Sequence, residues 1–218
     1  MLGLTALCLS ACKPLLPTQQ ASSADTAPIS SLTENEASPL NSISDSAAGP
    51  AGILLYCYHQ GEIHVLVAND RFGKRGWGGF AGGEHKGETT AMTAARETHE
   101  ETRGYYDQMK LFRQIKDQKP FRQWGFSLYF AEVPYVPAKV IMDHPLTRLS
   151  LAYMETQHYA WVPFVELEPL LAKKNITPQD LKIHARHLQA NSRSDSYWRI
   201  WIDNMRQVYL KDGFPWNP

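Results

Sequence analysis

The first 50 residues contain no aromatic side chain; the earliest is Tyr56. A stretch without aromatics, rich in Ser, Ala, Thr and Pro, cannot bury enough surface to fold, so the core must lie beyond it. Charge of neither sign prevails: 22 Lys and Arg balance 22 Asp and Glu in 218 residues. No global basic field therefore argues for nucleic acid as a partner. Long apolar runs are missing as well. Residues 2–11 are apolar and uncharged, but roughly twenty such residues are needed to span a bilayer. Cysteine occurs only at Cys8, Cys12 and Cys57. Proline and glycine are absent from 89–103, which leaves that segment free to form an unbroken helix.

The short apolar run suits the hydrophobic part of a secretory signal, residues 1–11, although no Lys or Arg precedes it. It ends Leu9-Ser10-Ala11-Cys12, which resembles a bacterial lipobox, and the resemblance implies lipidation of Cys12 and a membrane anchor. Residues 12–51 then read as a flexible lipidated linker. Lys13 after the cysteine resembles lipoproteins of the outer membrane of a Gram-negative cell, and implies its periplasmic face. The alternative is a cytoplasmic enzyme with an apolar tail. With Cys8 removed and Cys12 acylated, only Cys57 remains, so no internal disulfide is available; Cys57 sits in an apolar strand pattern and reads as core.

The densest chemistry lies in residues 82–104. Gly82-Gly83 opens the run, where a backbone without Cβ can turn sharply and approach a ligand. Further on, Glu97, Glu100 and Glu101 stand at i, i+3 and i+4, on one side of the helix predicted over 89–103. Like charges so placed repel, and a hard divalent cation such as Mg²⁺, which prefers carboxylate oxygen, would offset that. The opposite stripe (Ala91, Ala94, Ala95, Thr98, Thr102) is small enough to pack closely on a sheet.

These residues resemble the Nudix hydrolase signature: Gly, five residues, Glu, seven residues, Arg-Glu, a hydrophobic residue, any residue, Glu-Glu, any residue, Gly. Gly82, Glu88, Arg96-Glu97 and Glu100-Glu101 keep the spacing. Three positions depart from it. Thr98 replaces an aliphatic residue, Arg103 occupies the place of the closing glycine with Gly104 one step later, and His85 stands where an acid is common.

The resemblance implies an α/β fold, an α/β/α sandwich with a mixed sheet, over residues 52–173, with extra helices in 174–218. It also implies hydrolysis of a small-molecule diphosphate, usually a nucleoside diphosphate derivative, with Mg²⁺ or Mn²⁺. By position in the motif, Glu97, Glu100 and Glu101 would hold the metal with the main chain at Gly82. Arg96 would pair with Glu88 and orient them. For a catalytic base outside the motif, Glu155 is the first candidate and Glu132 the second. The competing expectation is a catalytically silent, lipid-anchored nucleotide-binding or scaffold module.

Around the signature, 53–59 and 63–68 read as strands of a hairpin, and 69–79 as a loop whose Arg71, Lys74 or Arg75 could meet phosphates. Residues 106–115 read as strand, 123–133 as a strong strand, 134–151 as irregular and 157–163 as strand. Residues 165–173 and 177–189 read as helical. In 196–211, Trp198, Trp201, Ile202, Met205 and Tyr209 form a helical stripe that reads as core. Trp77, Phe121 or Trp124 could stack a base. His184 and His187 read as a helix face without an acidic partner, not as a zinc site.

Overall fold

The computed structural model describes residues 49–72, 75–146 and 148–216. The expected signal, Cys12 and nearly all of the expected linker lie outside the described residues, as does Lys74. The central strand is β1 (Ala51–His59), an apolar run buried along most of its length. Its partner β2 (Glu62–Asp70) folds back antiparallel through Gln60-Gly61, both with positive φ, the geometry of a two-residue hairpin turn. The short β3 (Trp77–Gly78) pairs with β2, and β4 (Phe80–Gly82) pairs with the start of β1.

After helix α1 (Thr90–Glu101) come α2 (Gln108–Ile115), the hairpin β5 (Phe121–Gln123) and β6 (Phe126–Glu132), and α3 (Ala138–Met142). Strand β7 (Thr156–Pro163), α4 (Phe164–Ala172) and α5 (Arg199–Leu210) complete the set. β1 and β6 run parallel while the other pairings are antiparallel, so the sheet is mixed.

Alternation along β1 divides the core. Ile53, Leu55 and Cys57 join Ala91, Ala94 and Ala95 of α1 with residues of α2 and α3. Leu54 faces the other way, into a layer with Leu167 and Leu171 of α4 and Trp201, Ile202 and Met205 of α5. The result is the α/β/α sandwich, and α5 belongs to its second helical layer. Among the described residues no helix is long and apolar enough to cross a membrane.

Three elements differ from the sequence reading. Residues 108–115 are helical: Asp107 caps α2 by accepting from the Lys110 N–H at 2.8 Å, and Leu111 and Ile115, four apart, are its buried pair. The strand expected across 123–133 is interrupted by a turn at Trp124-Gly125, so Trp124 does not share a face with Phe126. Residues 177–189 form no α-helix, only a 3₁₀ turn at Ala185–His187. Their backbone is spent elsewhere: Ile183 donates to Asp195 O, while Tyr197 donates to Leu181 O.

Candidate active site

α1 begins at Thr89, whose side chain accepts from the Met92 N–H at 3.3 Å. Its small residues let it lie close on β1, which fixes the height of its acidic flank above the β4 edge. It ends in a Schellman arrangement: Gly104 donates to His99 O and Arg103 to Glu100 O. The left-handed residue at that cap is Arg103 itself, at φ +60°, and Gly104 follows at +85°. Glycine would meet no steric resistance there, so the departure from the motif stores strain in the backbone.

Arg96 is the hub of the site. Its Nε donates to Glu88 Oε1 at 2.7 Å and one Nη to Oε2 at 3.0 Å, a two-pronged pair. The other Nη donates to Glu97 at 2.8 Å and Glu100 at 3.1 Å. The first Nη also reaches Gly83 O at 2.7 Å, tying the glycine turn to the helix. Burial works against Arg96's charge, but the bonds to Glu88 and Glu97 outweigh it and hold the guanidinium protonated.

Glu88 also accepts from the His85 N–H and the Thr93 hydroxyl. Those donors, Arg96 first, pull its pKa down to about 2. Both of its oxygens thus already accept hydrogen bonds from the protein. His85 is a surface side chain 3.9 Å from Glu88.

Glu101 points the other way, accepting from the Ala81 N–H at 2.8 Å. It is buried, and burial raises its pKa well above the usual range; Glu97 and Glu155 push it further. Burial likewise raises Glu97 more than Arg96 can offset, with Glu100 and Glu155 adding to the rise. Three carboxylates, Glu88, Glu97 and Glu100, thus gather about one guanidinium, with Glu101 held beside them on Ala81.

Glu155 reaches this edge from another part of the chain. The neighbouring Thr156 hydroxyl donates to Glu101 O, and the Tyr159 hydroxyl does so at 2.7 Å. Arg71 N–H donates to Glu155 O at 2.7 Å, so the start of β7 is clamped beside the end of α1. Glu132 lies apart: it pairs with Tyr56, five residues along β1 from the Ala51–Gly82 pair, a separation of roughly 16 Å at strand spacing.

Do these residues suit a metal? Among the described residues no three acidic, His or Cys side chains already converge on one point. The donors themselves are hard oxygens on neighbouring, mutually repelling carboxylates, Glu101 buried and Glu97 and Glu100 partly so, which is the chemistry of an Mg²⁺ or Mn²⁺ site.

Residues 50–186 match the NUDIX domain. The chain belongs to the Nudix family. It is accordingly a hydrolase acting on pyrophosphate bonds. No curated protein matches the sequence.

Among solved structures, a Caenorhabditis elegans Ap4A hydrolase binary complex is 16% identical, with 77% of this chain and 100% of that one covered and a TM-score of 0.40. A MutT/nudix family protein from Enterococcus faecalis is 15% identical over 84% and 64% of the two chains, at 0.41. A bifunctional NMN adenylyltransferase/ADP ribose pyrophosphatase from Francisella tularensis, complexed with AMP and Mn, is 15% identical over 77% and 42%, also at 0.41.

Beside the Nudix glycines lies a cavity of about 390 Å³. Gly82 and Gly83 line it, as do Arg75, Trp124, Trp198 and Asn204. Trp77 is not among its walls: it is fully buried, its indole N–H donating to Ser194 O at 2.9 Å. Phe121 is half-buried beneath Lys211. The sequence reading missed Trp198 and Asn204 because the first sits in a stripe that reads as core. His184 and His187 do have an acidic partner, Glu166, which Arg186 also binds. That arginine already supplies the cation.

Proposed function

We propose that this chain hydrolyses the pyrophosphate linkage of a nucleoside diphosphate derivative with the help of Mg²⁺ or Mn²⁺. The supporting observation is the Arg96 fork, which locks Glu88 and turns Glu97 and Glu100 toward the Gly82–Gly83 edge while Glu101 is held on Ala81. Glu97, Glu100 and Glu101 would hold the cation, with the Gly82 main chain. Such a cation would supply charge neutralisation for the diphosphate and a more acidic coordinated water.

The chain's own residues do the rest. Arg96 keeps the carboxylates in register through its bonds to Glu88, Glu97 and Gly83 O. Glu155 is the proton acceptor in this reading: it is exposed, on a clamped backbone, and close enough to influence both Glu97 and Glu101. Arg75, on the cavity rim and within electrostatic reach of Glu101, meets the phosphates.

The envelope location is a separate part of the proposal. It is supported by the apolar run at 2–11 and by Leu9-Ser10-Ala11-Cys12, both outside the described residues. Metabolic labelling with a fatty acid should mark the wild type and not Cys12→Ser; label on both or neither would refute the anchor.

For the reaction, full-length protein is incubated with diphosphate-linked compounds and Mg²⁺ or Mn²⁺, and phosphate-bearing products are scored. Nucleoside diphosphate derivatives should be cleaved only with metal. Metal-independent cleavage, or none across the panel, would refute the reading.

A further inference from the structure

We propose that the C-terminal segment beyond residue 186, together with the β5–β6 turn, forms a specificity pocket for the planar, hydrogen-bonding ring of a nucleobase, with Trp124 and Trp198 as its stacking surfaces. Family membership rests on residues 50–186, so Trp198 and Asn204 come from outside the matched domain. Gly82 and Gly83 also line that cavity, and Gly82 packs directly against Glu97 at the glutamate edge. In this respect the pocket rests on that edge being the pyrophosphate site.

Trp124 is 74% exposed and belongs to neither core layer. Its φ is +48°, a region that bulky residues rarely adopt and that Asn or Gly enters without strain. An indole held in water, on a backbone unsuited to it, has no role in the fold. It does line the cavity mouth.

Trp77 donates to Ser196 O at 2.9 Å and Trp198 donates back to Trp77 O at 2.8 Å, stitching the segment to β3. A Cβ on Gly79 would stand 2.9 Å from the Trp201 indole nitrogen, so that glycine lets α5 seat against the strands leading to the site. Trp198 is thereby fixed with the Arg75 guanidinium 5.2 Å from its ring centre.

Gln123 and Asn204 bring two amides to an otherwise largely apolar wall. Each offers donors and an acceptor, which suits the edge of a base and would be wasted on an alkyl chain.

The test measures binding to the full-length chain with Mg²⁺ by calorimetry, comparing AMP with ribose 5-phosphate, which differ only in the base. AMP should bind at least about tenfold more tightly, in keeping with the strength of aromatic–base stacking. That ratio should fall to about twofold in Trp124→Asn and in Trp198→Leu. Trp124→Asn suits the turn, so its melting temperature should stay level or rise, which separates lost binding from lost folding.

Equal affinities in the wild type, a ratio untouched by both substitutions, or decyl phosphate outcompeting AMP would overturn the pocket. Neither ligand contains a pyrophosphate. A chain that selects AMP yet cleaves no diphosphate would therefore keep the pocket and refute the hydrolase reading. Cleavage without base selection would refute the pocket alone.

Discussion

The Glu97 carboxyl group occupies the space where a side chain on Gly82 would begin: a Cβ there would lie 2.2 Å from Glu97 Cδ. The two residues are separated by the whole glycine turn and half of α1, yet each determines the other's place. Gly82 is thus required by packing against the Glu97 carboxyl group rather than by its backbone angles.

Gly82→Ala should therefore damage activity far more than stability. The atoms it displaces are the far end of a flexible side chain, so the fold can yield, with a cost of about 1 kcal/mol. Moving Glu97 by an ångström should lower the metal-dependent rate by about 10²-fold. Melting curves alongside kinetics check this; a near-normal rate would show that Glu97 need not lie over Gly82.

Glu101 should make the metal-free protein sensitive to alkali. Burial raises its folded pKa above the unfolded value. Between those two values the native chain holds a proton that the unfolded chain has lost, so stability is greatest on the acid side and declines as pH rises through the raised value. In EDTA the melting temperature should fall as pH rises above the ordinary carboxylate range. Glu101→Gln, which can still accept from Ala81, should flatten the curve and melt a few degrees higher at the upper end, since about 1 kcal/mol corresponds to about 2–4 °C in a chain of this size. An unchanged slope would place the Glu101 charge in solvent.

The opposite sign applies to Glu88. Its pKa is pulled down to about 2, chiefly by the Arg96 guanidinium. Its contribution is complete above the ordinary carboxylate range and disappears as pH falls toward that value. Glu88→Gln should cost about 1.5–3 kcal/mol at neutral pH, the range for a hydrogen bond to a charged group, and should blunt acid unfolding. Urea titrations at two pH values measure both effects. A cost below about 0.5 kcal/mol would mean that Glu97 and Glu100 hold Arg96 unaided.

If Glu155 accepts the proton of the attacking water, Glu155→Gln should reduce kcat by about 10²-fold or more with little change in KM. A variant that keeps the wild-type kcat would assign that role to another carboxylate.

The carboxylate flank was readable from sequence because its spacing is a local helical property: Glu97, Glu100 and Glu101 follow from position along one element. The small stripe at Ala91, Ala94 and Ala95 was readable for the same reason. What escaped depended on distant contacts. Residues 177–189 give up helical bonds to pair with the segment at 195–197. Trp124 reads as one more aromatic in an alternating strand until the turn at Gly125 is placed. Trp198 reads as core because a helical stripe records which residues share a face and not what that face meets at its first turn. The α2 helix was a misreading of period, since Leu111 and Ile115 stand four apart and Asp107 supplies the cap.

The central claim is that carboxylates on α1 hold divalent ions against a pyrophosphate. Its most direct test is the rate of diphosphate hydrolysis by the full-length chain as Mg²⁺ is raised to saturation, in the wild type and in Glu101→Gln. The wild type should show a saturable, metal-dependent rate that the folded variant lacks at every concentration. A variant that reaches the wild-type rate at saturating Mg²⁺ would contradict the assignment of these carboxylates as the metal site.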